Sequence, residues 1–143
     1  MLFEAMPKAK VQSNIISCNA TISACEKDGQ WQQALELLEA MLKARLLPDI
    51  ISYNAATSAC EKGLQWQQAA MLFEVMQKAN VLPDVISYGA AISACEKGGQ
   101  WQQALWLFEA MPMANVKPDE ISYCAVISAC EKGRAMAASF VVV

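Results

Sequence analysis

A shift of 35 residues lays this chain on itself, and nothing else in the sequence restricts its fold so tightly. Ile50–Asp84 opens IISYNAATSACEKGLQWQQA and Val85–Asp119 opens VISYGAAISACEKGGQWQQA; the two segments agree at 25 of 35 positions. Ile15–Asp49 is a third copy, and Glu120 begins a fourth. A strict period of this length marks an array in which each supersecondary unit packs only on its neighbours. The units are 15–49, 50–84 and 85–119, flanked by partial repeats over 1–14 and 120–143. Met1–Asn14 aligns with Met71–Asp84, so it reads as the second half of a unit, and after Gly133 the repeat gives way to a divergent tail, RAMAASFVVV. A solenoid end normally carries a polar cap. Neither end here does, so the chain is expected to be a fragment of a longer array.

Each unit holds two helical stripes. In the third unit Val85, Tyr88, Ile92 and Cys95 recur at i, i+3, i+7 and i+10, and Trp101, Ala104, Leu105, Phe108 and Met111 form a second stripe. Ala90, Ala91, Ser93 and Ala94 keep the first helix thin enough for close neighbours. Gly98-Gly99 stops it, by the left-handed cap that glycine adopts without strain. Pro118 closes the unit and Asp119 caps the next helix. No segment alternates with period two. The expected fold is all-α, a right-handed superhelical solenoid of antiparallel helical hairpins. One hairpin cannot bury its apolar face alone, and about three are needed for stability.

Composition narrows the chemistry. Histidine is absent, which removes imidazole bases, the Ser-His-Asp triad and every metal site that needs imidazole. Fourteen acidic residues against 11 basic ones give a net charge of −3, unlike a strongly basic nucleic-acid binder. The apolar runs are too short to span a membrane. Carboxylates recur on separate units instead of converging in one cleft, so no enzyme, cofactor, metal or small-molecule substrate is expected. Cys25, Cys60, Cys95 and Cys130 stand 35 residues apart. Adjacent helices lie about 8–10 Å apart, beyond the roughly 7 Å that a disulfide tolerates between Cα atoms, so these are read as packed thiols. The Trp31, Trp66 and Trp101 ladder is likewise read as core.

The period of 35, the ending Val81-Leu82-Pro83-Asp84, the openings Ile50-Ile51-Ser52-Tyr53-Asn54 and Val85-Ile86-Ser87-Tyr88, and Ala69, Leu72, Phe73 and Met76 in the second helix together resemble the pentatricopeptide repeat family. The tetratricopeptide repeat differs, with a period of about 34 and a tryptophan near its start. Here the tryptophans open the second helix. The resemblance implies sequence-specific binding of single-stranded RNA in a mitochondrion or chloroplast, for RNA processing, although no transit peptide is visible. It also implies an array lying parallel to its RNA, with one base addressed per repeat by two or three side chains.

By this resemblance the fifth and last residues of a unit choose the base. The pairs are Asn19 with Asp49, Asn54 with Asp84, and Gly89 with Asp119; the fourth unit offers Cys124. An Asn/Asp pair prefers uracil, whose N3–H and carbonyls match an amide that both donates and accepts. Gly89 has no atoms with which to discriminate. The aspartates also read as helix caps, and the two roles are compatible. Ile16, Ile51, Ile86 and Ile121 would pack against base faces, or else inside the hairpins. Lys27, Lys62, Lys97 and Lys132 would face phosphates, or else complement the negative C-terminus of the helix they end. The expected function is an RNA-binding module that prefers U at two units; the alternative is a scaffold that binds other proteins.

Overall fold

A computed structural model of the chain describes residues 8–142, with side chains over 14–133. Among the described residues seven helices follow one another: α1 (Lys8–Lys27), α2 (Trp31–Lys43), α3 (Ile50–Lys62), α4 (Trp66–Lys78), α5 (Val85–Lys97), α6 (Trp101–Met113) and α7 (Glu120–Val142). There is no strand among the described residues. The expected all-α solenoid of antiparallel hairpins is the architecture observed.

The two ends differ from the inner units. Residues 1–7 of the expected half-repeat lie outside the described residues. From Lys8 the chain is already helical and runs without a break into the first unit. Residues 11–14 are Val-Gln-Ser-Asn, without the Pro-Asp pair that punctuates 48–49, 83–84 and 118–119. Without a proline to keep its predecessor out of the helical region, the helix continues through this stretch. α7 likewise passes Gly133, where an inner unit would turn.

Side-chain size sets the arrangement. The first helices bury small residues, Ala55, Ala56, Ala59 and Cys60 in α3 and Ala91, Ala94 and Cys95 in α5. This lets α1, α3, α5 and α7 pack side by side in one row. The second helices bury larger ones: Leu38 and Met41, then Leu72, Phe73 and Met76, then Leu107 and Met111. Each second helix wedges between two first helices, and its backbone approaches no other second helix. A row that is tight on one side and spread on the other curves toward the tight side, so the first helices line the inner face. Ring contacts cross the boundaries, Phe73 on Tyr88 at 4.9 Å and Phe108 on Tyr123 at 5.2 Å, both edge-on.

The glycine pair divides its work differently from the sequence expectation. Gly99 takes the left-handed conformation, with φ of 72°, but Gly98 has φ of −84°. Gly98 is demanded by packing: a Cβ there would fall 2.2 Å from Trp66 Cδ1. Gly63 meets Trp31 at 2.3 Å in the same way, and Gly133 meets Trp101 at 2.4 Å. Each tryptophan is therefore half-buried at a unit boundary, lying on the glycine of the next unit. The turns themselves are uniform. Gln65 N–H reaches Cys60 O and Gln100 N–H reaches Cys95 O, both at 2.8 Å, closing helix ends whose carbonyls would otherwise lack partners. Cys25, Cys60 and Cys95 are buried, Cys130 is half-buried, and all six thiols are free. Burial pushes the Cys60 thiol up to about 12 and that of Cys95 up to about 11.

Candidate nucleic-acid interface

The inner face repeats one polar device at each unit boundary. Asp49 caps α3, accepting from the Ser52 backbone N–H at 3.1 Å, while the Asp49 N–H donates back to Ser52 Oγ at 3.1 Å. Asp84 and Ser87 cap α5 identically, at 3.0 and 3.1 Å. The asparagine of the preceding first helix joins each cap. Asn19 Nδ2 donates to Asp49 Oδ1 at 3.1 Å, and Asn54 Nδ2 donates to Asp84 Oδ1 at 3.2 Å. The opposite end of each amide accepts from a serine of the next unit: Ser52 Oγ donates to Asn19 Oδ1, and Ser87 Oγ donates to Asn54 Oδ1 at 2.6 Å. Both asparagines and both serines are buried.

The third boundary has the cap without the amide. Ser122 donates through both N–H and Oγ to Asp119 Oδ1, each at 2.9 Å, and Gly89 stands where the asparagine would be. The Ser122 backbone N–H foremost, helped by its hydroxyl, holds the Asp119 carboxyl below the usual aspartate range. A cavity of about 180 Å³ opens beside Gly89, lined by Ile86, Ser93, Asp119 and Ile121 among others.

The aspartates are thus caps, and Asp49 and Asp84 also touch the asparagines with which they were paired from sequence. The serines were not singled out from sequence. Their signal was the recurrent Asp-x-x-Ser at 49–52, 84–87 and 119–122, a spacing that suits reciprocal capping. The isoleucines are exposed: Ile16 at 62%, Ile51 at 56%, Ile86 at 59% and Ile121 at 63%. Ordinary hairpin packing does not describe them. Each lies three residues before the fifth position of its unit, on the same helix face, so a row of uncovered apolar side chains runs beside the row of clamped amides.

Three of the four lysines are ion-paired. Lys62 pairs with Glu26 at 3.4 Å, Lys97 with Glu61 at 3.0 Å and Lys132 with Glu96 at 2.7 Å, each reaching back one unit. Lys27 ends α1 and complements its negative terminus. At Glu96 burial works to raise the pKa, but the hydrogen bonds from Lys132 and Ser128 and the charges of Lys132 and Lys97 outweigh it, and the carboxyl sits below the ordinary glutamate value. No group of three or more His, Cys, Asp or Glu side chains is gathered to hold a metal among the described residues.

A model of the PPR repeat family matches residues 13–62 and 83–132, and a model of the PPR repeat matches residues 51–81. The chain belongs to the pentatricopeptide repeat family. Among solved pentatricopeptide structures, PPR10 from maize superimposes with a TM-score of 0.70 at 20% identity, over 78% of this chain and 16% of that one. PPR10 in complex with an 18-nt psaJ RNA element gives 0.71 at 23% identity, over the same shares. The PPR domain of Arabidopsis thaliana protein-only RNase P 1, in complex with tRNA, gives 0.71 at 15% identity, over 83% of this chain and 63% of that one. At these identities the likeness is one of fold, and the chain spans about a sixth of the length of PPR10. A comparison with curated protein sequences gives no match.

Proposed function

We propose that this chain is a module that binds single-stranded RNA along its inner face, with Asn19 and Asn54 reading uracil at two adjacent units. The clamped amide carries the proposal. Ser and Asp together engage one lone pair of the Asn oxygen and one N–H of its nitrogen, leaving one acceptor and one donor for a base edge. Uracil offers N3–H and a carbonyl, the complement of that pair. Cytosine exchanges donor and acceptor at these positions, so an amide free to flip would match both pyrimidines and a fixed one separates them. Asp49 and Asp84 serve as orienting anchors, Asp119 anchors a unit without a reader, and Ile16, Ile51, Ile86 and Ile121 supply apolar surface for base faces. Belonging to the family, and the binding of RNA by PPR10 and by the protein-only RNase P, support the choice of ligand. A role in RNA processing inside a mitochondrion or chloroplast is part of the same proposal and rests on family resemblance.

A protein-binding scaffold is the second reading, favoured by the three lysines that are already paired with glutamates and by the net charge of −3. Both features weaken the phosphate attraction that dominates nucleic-acid affinity. Two readers supply roughly 2–6 kcal/mol at about 1–3 each, against an association cost of about 4–15 kcal/mol, so binding by this chain alone is weak. Titration with short homopolymers at low salt tests the proposal. Oligouridine is expected to bind ahead of the other three, and the Asn19→Ala/Asn54→Ala double variant is expected to lose that order. Equal binding of all four would favour the scaffold.

A further inference from the structure

We propose that Ser52 and Ser87 are positioning residues that fix the base choice of the unit preceding each of them; this rests on the RNA reading above. A hydroxyl has one proton and two lone pairs. The Asp84 N–H donates to Ser87 Oγ at 3.1 Å, which fills one of the two lone pairs and leaves the proton to find an acceptor of its own. The nearest acceptor is Asn54 Oδ1 at 2.6 Å, ahead of Asp84 Oδ1 at 3.0 Å. Ser87 is buried, so water does not compete for the proton. The serine thereby marks the oxygen end of the amide, and the aspartate marks the nitrogen end. A flipped amide would set its oxygen against the carboxylate and lose that bond, and it could keep the serine only if the hydroxyl turned its proton to Asp84 Oδ1 and gave up the short bond at 2.6 Å. Ser52 holds Asn19 in the same way.

The bond crosses a unit boundary, 33 residues along the chain. The code of a unit is then not contained in that unit: its C-terminal neighbour contributes the proton that sets it. The third boundary supplies a control within the same molecule. Ser122 is buried and caps its helix through Asp119, but it faces Gly89 and has no amide to orient.

The test uses the full chain and two probes, short oligouridine and short oligocytidine, with the side-chain amide of Asn54 followed by NMR. Ser87→Ala is expected to lower the U-to-C affinity ratio by about three- to tenfold, the range set by losing one buried hydrogen bond while Asp84 keeps its own. The same variant should speed hydrogen exchange of the Asn54 amide. Ser87→Thr, which keeps the hydroxyl, should restore both. Ser122→Ala should cost comparable stability and leave both unchanged. An unchanged ratio in Ser87→Ala, or an equal fall in Ser122→Ala, overturns the proposal. If Ser87→Ala does not fold, Ser52→Ala carries the same expectation at Asn19. Failure of the wild-type chain to bind either oligomer overturns the RNA reading and the serine's part in specificity with it. Unchanged Asn54 exchange in Ser87→Ala overturns the serine's hold on the amide, whether or not RNA binds.

Discussion

Replacing Gly98 by alanine sets two physical effects against each other. The backbone there is ordinary, with φ of −84°, so the substitution should stabilise by about 0.4–1 kcal/mol through the unfolded chain. The added methyl, however, would lie 2.2 Å from Trp66 Cδ1, 2.5 Å from Cγ and 2.9 Å from Cβ. Contacts to Cβ and Cγ cannot be relieved by swinging the end of the ring, so the tryptophan must shift as a whole. Overpacking of this kind costs about 1–3 kcal/mol. The steric effect wins, leaving a net loss of about 1–2 kcal/mol, or a melting temperature lower by about 3–8 °C at this chain length. Thermal unfolding followed by circular dichroism reads it. In a Trp66→Ala background the same substitution should be neutral or stabilising. Gly99→Ala is the comparison: nothing lies within 4 Å of its Cβ, and its φ of 72° makes the loss one of backbone strain, about 1 kcal/mol whatever stands at position 66. A Gly98→Ala chain that melts higher than wild type would refute the packing account.

Leu64 holds a left-handed φ of 60° where the other two units have glycine, and it is largely exposed, so Leu64→Gly should raise unfolding free energy by about 0.5–1 kcal/mol in urea titration. Glu96 has a depressed pKa in the folded chain, so its stabilisation is fully present above the unfolded-state value of about 4.3 and is lost as pH falls through the lower folded-state value. Lys132→Ala should therefore lie below wild type in urea midpoint near neutral pH and converge on it in acid. In the native chain a disulfide reagent should label exposed Cys124 quickly and spare Cys60 and Cys95, while unfolding should release all six thiols.

The hairpins were legible in the sequence because the 3.6-residue stripes are local and every copy repeats them. Tyr88, Ile92, Cys95, Ala104 and Met111 are buried as their spacing requires. Leu107 is also buried, outside the stripe drawn for its helix, because α6 is gripped between two first helices and covers more than one face. What the sequence hid was contact across boundaries. The lysines were read against a phosphate or their own helix end, whereas Lys97 pairs with a glutamate one unit back. Gly98 was read as a cap because Gly-Gly after Glu-Lys is a strong local signal, and its true constraint, a tryptophan of the preceding unit, leaves no mark in the adjoining residues. The asparagine–aspartate contact was reached only through family resemblance, since 30 residues separate the partners. The row of exposed isoleucines was equally undecided, because an isoleucine near a helix start looks the same in sequence whether a neighbour covers it or not.

The contacts of the first boundary recur at the second, and this bears on how such a chain tolerates changes of length. Excising Ile50–Asp84 would join Asp49 to Val85 and hand every orphaned group a substitute of the same kind. Trp31 would find Gly98 in place of Gly63, Asn19 would find Ser87 in place of Ser52, and Glu26 would find Lys97 in place of Lys62. Removing one residue more or fewer would put these partners out of phase across the new joint, by about 100° of helix turn. Length in this molecule is therefore quantised: whole units can be cut out or spliced in with the joints intact, and nothing smaller can.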